Sequence, residues 1–210
     1  MVISWYGEGS FRFQNGETSL LCDIPLTSSG ASIPRGKVNV YLQTITKWDE
    51  KGPQITSPLE ANTHIYGGGE YDSDGIRIKG FQLENDSEKT VIKTTYQITW
   101  DDIIIGLLGH ISQPLPPSIQ EHMNEVDVLI APGGGDPFLE QAQTIKLVKQ
   151  LNPKIYIPSF IPFKGLKRKT ADPKDIYTAF DASGDAKDKF TFKKKDLIDI
   201  KKTQVVVLSV

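Results

Sequence analysis

The sequence predicts one α+β domain, and three observations predict it. Its first half is a succession of short apolar or alternating runs, the mark of strands. Its second half holds a strongly periodic helical segment between two continuous apolar runs. The 210 residues contain no internal repeat and no linker-like stretch, and that length suits one substantial core. The expected domain therefore covers residues 1–210.

The elements follow in order. Runs 2–6, 11–13 and 19–22 read as strands separated by Gly7, Gly9, Asn15-Gly16 and Asp23. Asn15-Gly16 predicts a hairpin, since this pair readily takes the positive φ of tight turns. Residues 27–35, rich in Ser, Gly and Pro, read as a loop. A buried strand is expected at 38–42, leading into a loop at 44–50, and 51–62 reads as irregular because of Pro53 and Pro58. Gly67-Gly68-Gly69 marks a turn before a strand. Runs 76–83 and 90–100 alternate as half-buried antiparallel strands do, with a charged turn at 84–89 between them; 103–108 is the next strand. Ser118 and Glu121 have capping-box spacing and predict a short helix. After the apolar run 126–131, Gly133-Gly134-Gly135-Asp136-Pro137 is expected to open a helix, with Asp136 as cap and Pro137 in the first turn. Phe138, Ala142, Ile145, Val148 and Leu151 would form its buried face. Asn152-Pro153 ends it before a strand at 155–157, a unit that predicts a parallel crossover. A helix at 173–179 and strands at 190–192 and 205–208 complete the chain.

Bulk properties exclude several function classes. Charged residues make up 24% and hydrophobic ones 38%, ordinary for a globular protein. A net charge of −2 offers no positive field to attract nucleic acid or anionic lipid. Lys193-Lys194-Lys195 and Lys201-Lys202 are interrupted by Asp196 and Asp199 and read as a solvated face. No stretch approaches the roughly 20 apolar residues of a membrane span. The single cysteine, Cys22, excludes an internal disulfide and reads as a buried, inert thiol in a reducing compartment. With no leader-like N-terminus, the expected location is cytoplasmic.

Several segments together resemble the metallo-β-lactamase family, in particular its compact branch related to the L-ascorbate-6-phosphate lactonases. Trp5-Tyr6-Gly7-Glu8-Gly9-Ser10-Phe11 resembles a Leu-Gly-His-Ser/Ala-x-Phe opening, with Glu8 at the histidine. Leu20-Leu21-Cys22-Asp23-Ile24-Pro25 resembles a Leu-Ile-Asp-Pro strand end. Gly109-His110 resembles the family's Gly-Asp, with His110 at the metal-bridging carboxylate. Residues 125–135 and 152–160 resemble its Val-Asp-Val-Leu-x-x-Pro-x-Gly-Gly and Pro-Lys-x-x-Ile-Pro-x-His stretches, the latter with Phe160 at the histidine. The resemblance implies a four-layer αββα sandwich with its ligand cleft along one edge of two sheets.

The same resemblance places Thr-His-x-His-x-Asp-His at Thr44–Glu50, where this chain has Ile45, Lys47 and Glu50 at the three histidines and keeps, of the His and Asp positions, only Asp49. Catalytic zinc needs about three or four N, S or carboxylate ligands, and the chain has three scattered histidines, His64, His110 and His122. His122 reads as a surface residue, and His64 matches no ligand position. The expectation is no metal and no cofactor, with the zinc site lost. Lys47 either stands in for the metal among Asp49, Glu50, Glu8 and Asp23, or points into water with Glu50. Ile45 and Phe160 read as packing that closes the emptied space. The alternative is a single weakly bound divalent ion held by oxygen ligands.

Two function classes follow. The first is a non-catalytic binding or assembly protein for an unknown small molecule or protein partner, with no nucleic acid or membrane partner and a homo-oligomer open. The second is a hydrolase of esters, lactones or phosphoesters, with His110 as base and Asp49 orienting it or holding a metal. The expected cleft is Glu8, Asp23, Lys47, Asp49, Glu50, His110 and Phe160. A phosphate cradle at Gly133–Gly135 is set aside, because no Lys-Ser/Thr follows and Asp136 would repel the anion.

Overall fold

A computed structural model describes residues 1–55 and 59–210; Pro58, expected in an irregular stretch, lies outside them. The strands in chain order are β1 (Val2–Trp5), β2 (Phe11–Asn15), β3 (Thr18–Cys22), β4 (Val38–Gln43), β5 (Ile45–Asp49), β6 (Gly52–Pro53), β7 (Ala61–Tyr66), β8 (Gly69–Ser73) and β9 (Ile76–Gln82). They continue with β10 (Val91–Trp100), β11 (Ile103–Leu107), β12 (Val128–Pro132), β13 (Ile155–Ser159), β14 (Ala186–Lys187), β15 (Phe190–Thr191), β16 (Gln204–Val205) and β17 (Val207–Leu208). The helices are α1 (Pro117–Met123), α2 (Gln141–Leu151), α3 (Lys174–Ala179) and α4 (Lys194–Ile198).

Two mixed sheets face each other, flanked by helices. One runs β15-β1-β2-β3-β4-β7; the other runs β16-β13-β12-β11-β10, where β10 also pairs with β9 and β5. Alternation along the strands creates the layer between them. Ile3, Phe11, Phe13, Leu20 and Leu42 from one sheet meet Ile78, Ile98, Ile105, Ile130 and Ile157 from the other in one apolar cluster. The outer face of the larger sheet buries Leu129, Ala131 and Tyr156 under Ile119 and Met123 of α1, Val148 and Leu151 of α2 and Ile176 of α3. A smaller cluster, Leu21, Val38 and Tyr41 with Ile24, Leu59 and Ala61, lies apart from both. Among the described residues, no helix is long and apolar enough to cross a membrane.

Three local expectations need correction. Residues 45–49 form a strand, because Ile45–Lys47 pair antiparallel with Val91–Lys93 at the start of β10. α1 exists, but the Ser118/Glu121 capping box does not form: Pro116 is the N-cap and Pro117 opens the helix. α2 begins at Gln141, so Asp136 and Pro137 are exposed turn residues and cap nothing. The intervening residues are otherwise engaged, since the Leu139 N–H donates to Ile111 O and Phe138 stacks on Phe160. The buried face of α2 shifts accordingly to Thr144, Leu147, Val148 and Leu151. The parallel crossover is present, with β12 and β13 paired from Val128–Ile155 to Pro132–Ser159.

Phe11, fully buried between the sheets, reports on their contact. Phe11→Ala should cost about 3–5 kcal/mol, read as a lower urea midpoint at unchanged slope.

Candidate functional site

Several strand ends converge on one edge of the sandwich. The β1–β2 turn brings Glu8, the end of β3 brings Asp23, the β4–β5 junction brings Thr44, and the segment after β11 brings His110. Phe160 follows β13, and Arg168 reaches back from the loop beyond it. Glu8, Asp23 and Phe160 have φ of 53°, 47° and 57°, the left-handed region that costs an L-residue about 1–3 kcal/mol. Every other non-glycine residue with positive φ among the described residues is Asp or Asn, types that tolerate it. Glu8 and Phe160 are instead held there by tertiary bonds. Glu8 O accepts from Trp5 Nε1 at 2.9 Å and from the Phe160 N–H at 3.2 Å. Phe160 O accepts from Arg168 Nη2 at 2.7 Å and Thr170 Oγ1 at 3.1 Å.

Two charged groups are satisfied by separate partners. Arg168 donates from Nε to both Glu8 oxygens at 3.0 Å and from Nη2 to Oε2 at 2.8 Å. The guanidinium also lies 5.2 Å from the centre of the Phe138 ring and 6.0 Å from that of Phe160, and these rings stack 3.9 Å apart. Arginine suits this place because its planar fork grips a carboxylate while its faces lie against aromatics. Asp23, only 6% exposed, accepts from the Thr44 N–H at 2.8 Å and the Thr44 hydroxyl at 2.5 Å. The same hydroxyl lies 2.7 Å from His110 Nδ1. Gly109 permits this approach: a Cβ there would sit 2.3 Å from Thr44 Cβ, and its φ is +60°.

Burial is the main reason that His110 is held below its ordinary pKa of 6.5. Asp23 opposes that shift, Lys93 adds to it, Glu8 opposes it and Arg168 adds to it. The imidazole is therefore neutral at neutral pH. Edge-on contacts with Phe160 at 5.0 Å and Phe138 at 5.8 Å enclose the ring. A cavity of about 430 Å³ opens beside these groups, walled by Ile24, Pro25, Leu26, Ile45, Phe138 and Phe160.

Residues 2–159 match the β-lactamase superfamily domain. The chain belongs to that superfamily. A superfamily protein of Thermotoga maritima, described as a candidate Zn-dependent hydrolase, superposes with a TM-score of 0.81 at 22% identity, over 100% of this chain and 98% of that one. A metallo-hydrolase from Ignicoccus hospitalis gives 0.61 at 16% identity, covering 91% and 99%. An isothiocyanate hydrolase from Delia radicum gut bacteria gives 0.59 at 12%, covering 99% and 96%. At these identities the structures show the fold. No curated protein matches the chain.

Within this superfamily domain, the structure gathers Glu8, Asp23, Lys47, His110 and Phe160 around the cavity. It does not bring Asp49 or Glu50 there. Both are exposed at the β5–β6 turn, where Asp49 accepts from the Lys51 N–H at 2.8 Å and Gln54 Nε2 at 2.5 Å. The carboxylate beside His110 is Asp23, 3.7 Å from Nδ1, rather than Asp49. Lys47 is exposed, and Arg168 is the cation that meets Glu8. His122 is exposed and stacks on Phe81 at 4.7 Å; His64 is exposed on β7. Among the described residues, no group of three or more His, Cys, Asp or Glu is arranged to hold a metal ion.

Sequence reasoning missed Thr44, Phe138 and Arg168 as site residues. Arg168 stands among Lys164, Lys167 and Lys169, and that basic stretch carried no hint of a distant carboxylate. The one available signal was arginine's preference for paired oxygen acceptors, set against an unmatched glutamate at Glu8.

Two outcomes follow from this geometry. Arg168→Met leaves the largely buried Glu8 unpaired and should cost about 3 kcal/mol; a double change with Glu8→Gln should cost less than the two single changes summed, as urea denaturation would show. The second concerns pH. The unfolded chain protonates His110 near 6.5 and the folded one only lower, so the unfolded state binds more protons between those values. Stability should therefore fall as pH drops through that window, and His110→Gln should flatten this part of the stability profile.

Proposed function

We propose that this superfamily member is a metal-independent, non-catalytic binding protein for a small organic ligand, and that its ancestral type of zinc site has been lost. The placement of Arg168 carries this reading. Its guanidinium occupies Glu8 through three hydrogen bonds, where the family resemblance puts a histidine. A fixed cation repels a dication, and Phe160, at another histidine position, has no donor atom to offer. Glu8 and Asp23 are each committed to other partners, so the side chains present do not fit the zinc that the family implies. The cavity volume of about 430 Å³ lies within the range of small-molecule sites, roughly 300–1,000 Å³, and favours such a ligand over a protein partner.

The alternative of a hydrolase with altered ligands around Asp49 and His110 lacks geometric support. Asp49 is turned to Gln54 and the Lys51 backbone, while the neighbours of Nδ1 are Thr44 and Asp23.

Elemental analysis of protein purified without chelator, and again after zinc supplementation, tests the reading. Far less than one zinc per chain is expected, with no turnover of lactones, phosphodiesters or nitrophenyl esters. One tightly held zinc per chain, or hydrolysis that disappears in His110→Ala, would overturn it.

A further inference from the structure

We infer that the ligand of this cavity is a compact, mainly apolar molecule carrying one hydroxyl or N–H donor at its buried end, received by Nε2 of His110. The inference rests on the metal-free reading, since an ion bound at His110 would take the same lone pair.

The tautomer of His110 follows from counting protons. The Thr44 hydroxyl has one hydrogen and lies 2.5 Å from Asp23 Oδ2 and 2.7 Å from His110 Nδ1. A carboxylate only accepts, so the hydroxyl donates to Asp23. Its oxygen then accepts from His110, and the imidazole proton must be on Nδ1. In the neutral ring, Nε2 is left as a lone-pair acceptor, and it has no hydrogen-bond partner among the described residues. The chain Asp23–Thr44–His110 thus presents an oriented acceptor beside the cavity.

The two carboxylates nearby are already occupied, while the ammonium of the exposed Lys47 also borders the cavity. Glu8 receives Arg168, which also donates from Nη2 to Phe160 O and from Nη1 to Lys169 O, leaving one of its five N–H groups. Asp23 receives both bonds from Thr44. The surrounding wall of Ile24, Pro25, Ile45, Phe138 and Phe160 offers apolar contact. A ligand with only acceptors at its inner end would meet the Nε2 lone pair without a proton between them, and a buried polar group left unpaired in this way is costly.

The probes are 2-naphthalenemethanol and its methyl ether, which share an apolar body and differ in the donor. Long-range proton–nitrogen correlation spectra of the full chain should show His110 protonated on Nδ1 and bare on Nε2. The alcohol should shift the Nε2 resonance, and the ether should bind on the order of tenfold more weakly. Thr44→Val and His110→Phe should each reduce that preference. An Nε2-protonated ring, equal binding of alcohol and ether, or no binding of either would overturn the inference while leaving the metal-free reading intact. One equivalent of zinc in the same preparation would instead sink the reading on which it rests. If His110→Phe does not fold, the tautomer measured in the unmodified protein decides.

Discussion

The apolar layer between the two sheets confines polar chemistry to the edge of the sandwich. Strands that contribute Phe11, Leu20, Ile105 and Ile157 to that layer have no room for charge on the face turned to it. The charged groups of the site enter where strands stop. Stopping abruptly has a conformational consequence: the chain must turn within one or two residues, and at Glu8, Asp23 and Phe160 it does so through the left-handed region. The site is therefore built from strained strand ends. Their cost is tolerable because each is tied by hydrogen bonds to another element, so the fold over-determines their conformation.

Placing Glu8 and Asp23 at such an edge creates a second problem, the loss of hydration around two carboxylates. Each is solved by a different device. For Glu8 it is a full counter-charge in fork geometry, supported by two stacked rings. For Asp23 it is hydrogen bonding from one residue, whose amide and hydroxyl both point at the carboxylate. Because Thr44 also touches His110, the second device does more than neutralise: it orients the imidazole and settles which nitrogen bears the proton. Gly109 is part of the same device, since any Cβ there would push the strand ends apart.

Much of the framework was legible in the sequence because it depends on local periodicity. Alternating runs located most of β9 and β10, and the continuous run at 126–131 located β12, since a strand buried on both faces has no polar side to alternate with. Errors arose where tertiary contacts overrode local preference. Pro137 favours a helix start, yet α2 begins four residues later because Phe138 is drawn into the aromatic stack and the Leu139 amide is drawn to Ile111. Residues 45–49 resembled a ligand loop, yet β10 is long enough to pair with them as a strand. The site divided in the same way. Glu8, Asp23, His110 and Phe160 lie at strand ends whose motifs resemble the family's, and that resemblance named them. Arg168 lies 160 residues from Glu8 in sequence, and no local pattern encodes that meeting.

The division of charge also bears on what kind of recognition this edge can support. Glu8 and Asp23 are internally compensated, and electrostatic attraction cannot supply most of the affinity for an uncharged guest. On the proposed reading, that affinity comes from apolar area removed from water, about 25 cal/mol per Å². The lone imidazole nitrogen contributes less to binding strength than to orientation, because a satisfied hydrogen bond adds only about 1 kcal/mol net while an unsatisfied one costs more. Selectivity would then reside in the relay from Asp23 through Thr44, and affinity in Ile24, Ile45, Phe138 and Phe160. These two properties are carried by different residues, so substitutions in the apolar wall could retune which molecule fits without disturbing the acceptor that orients it.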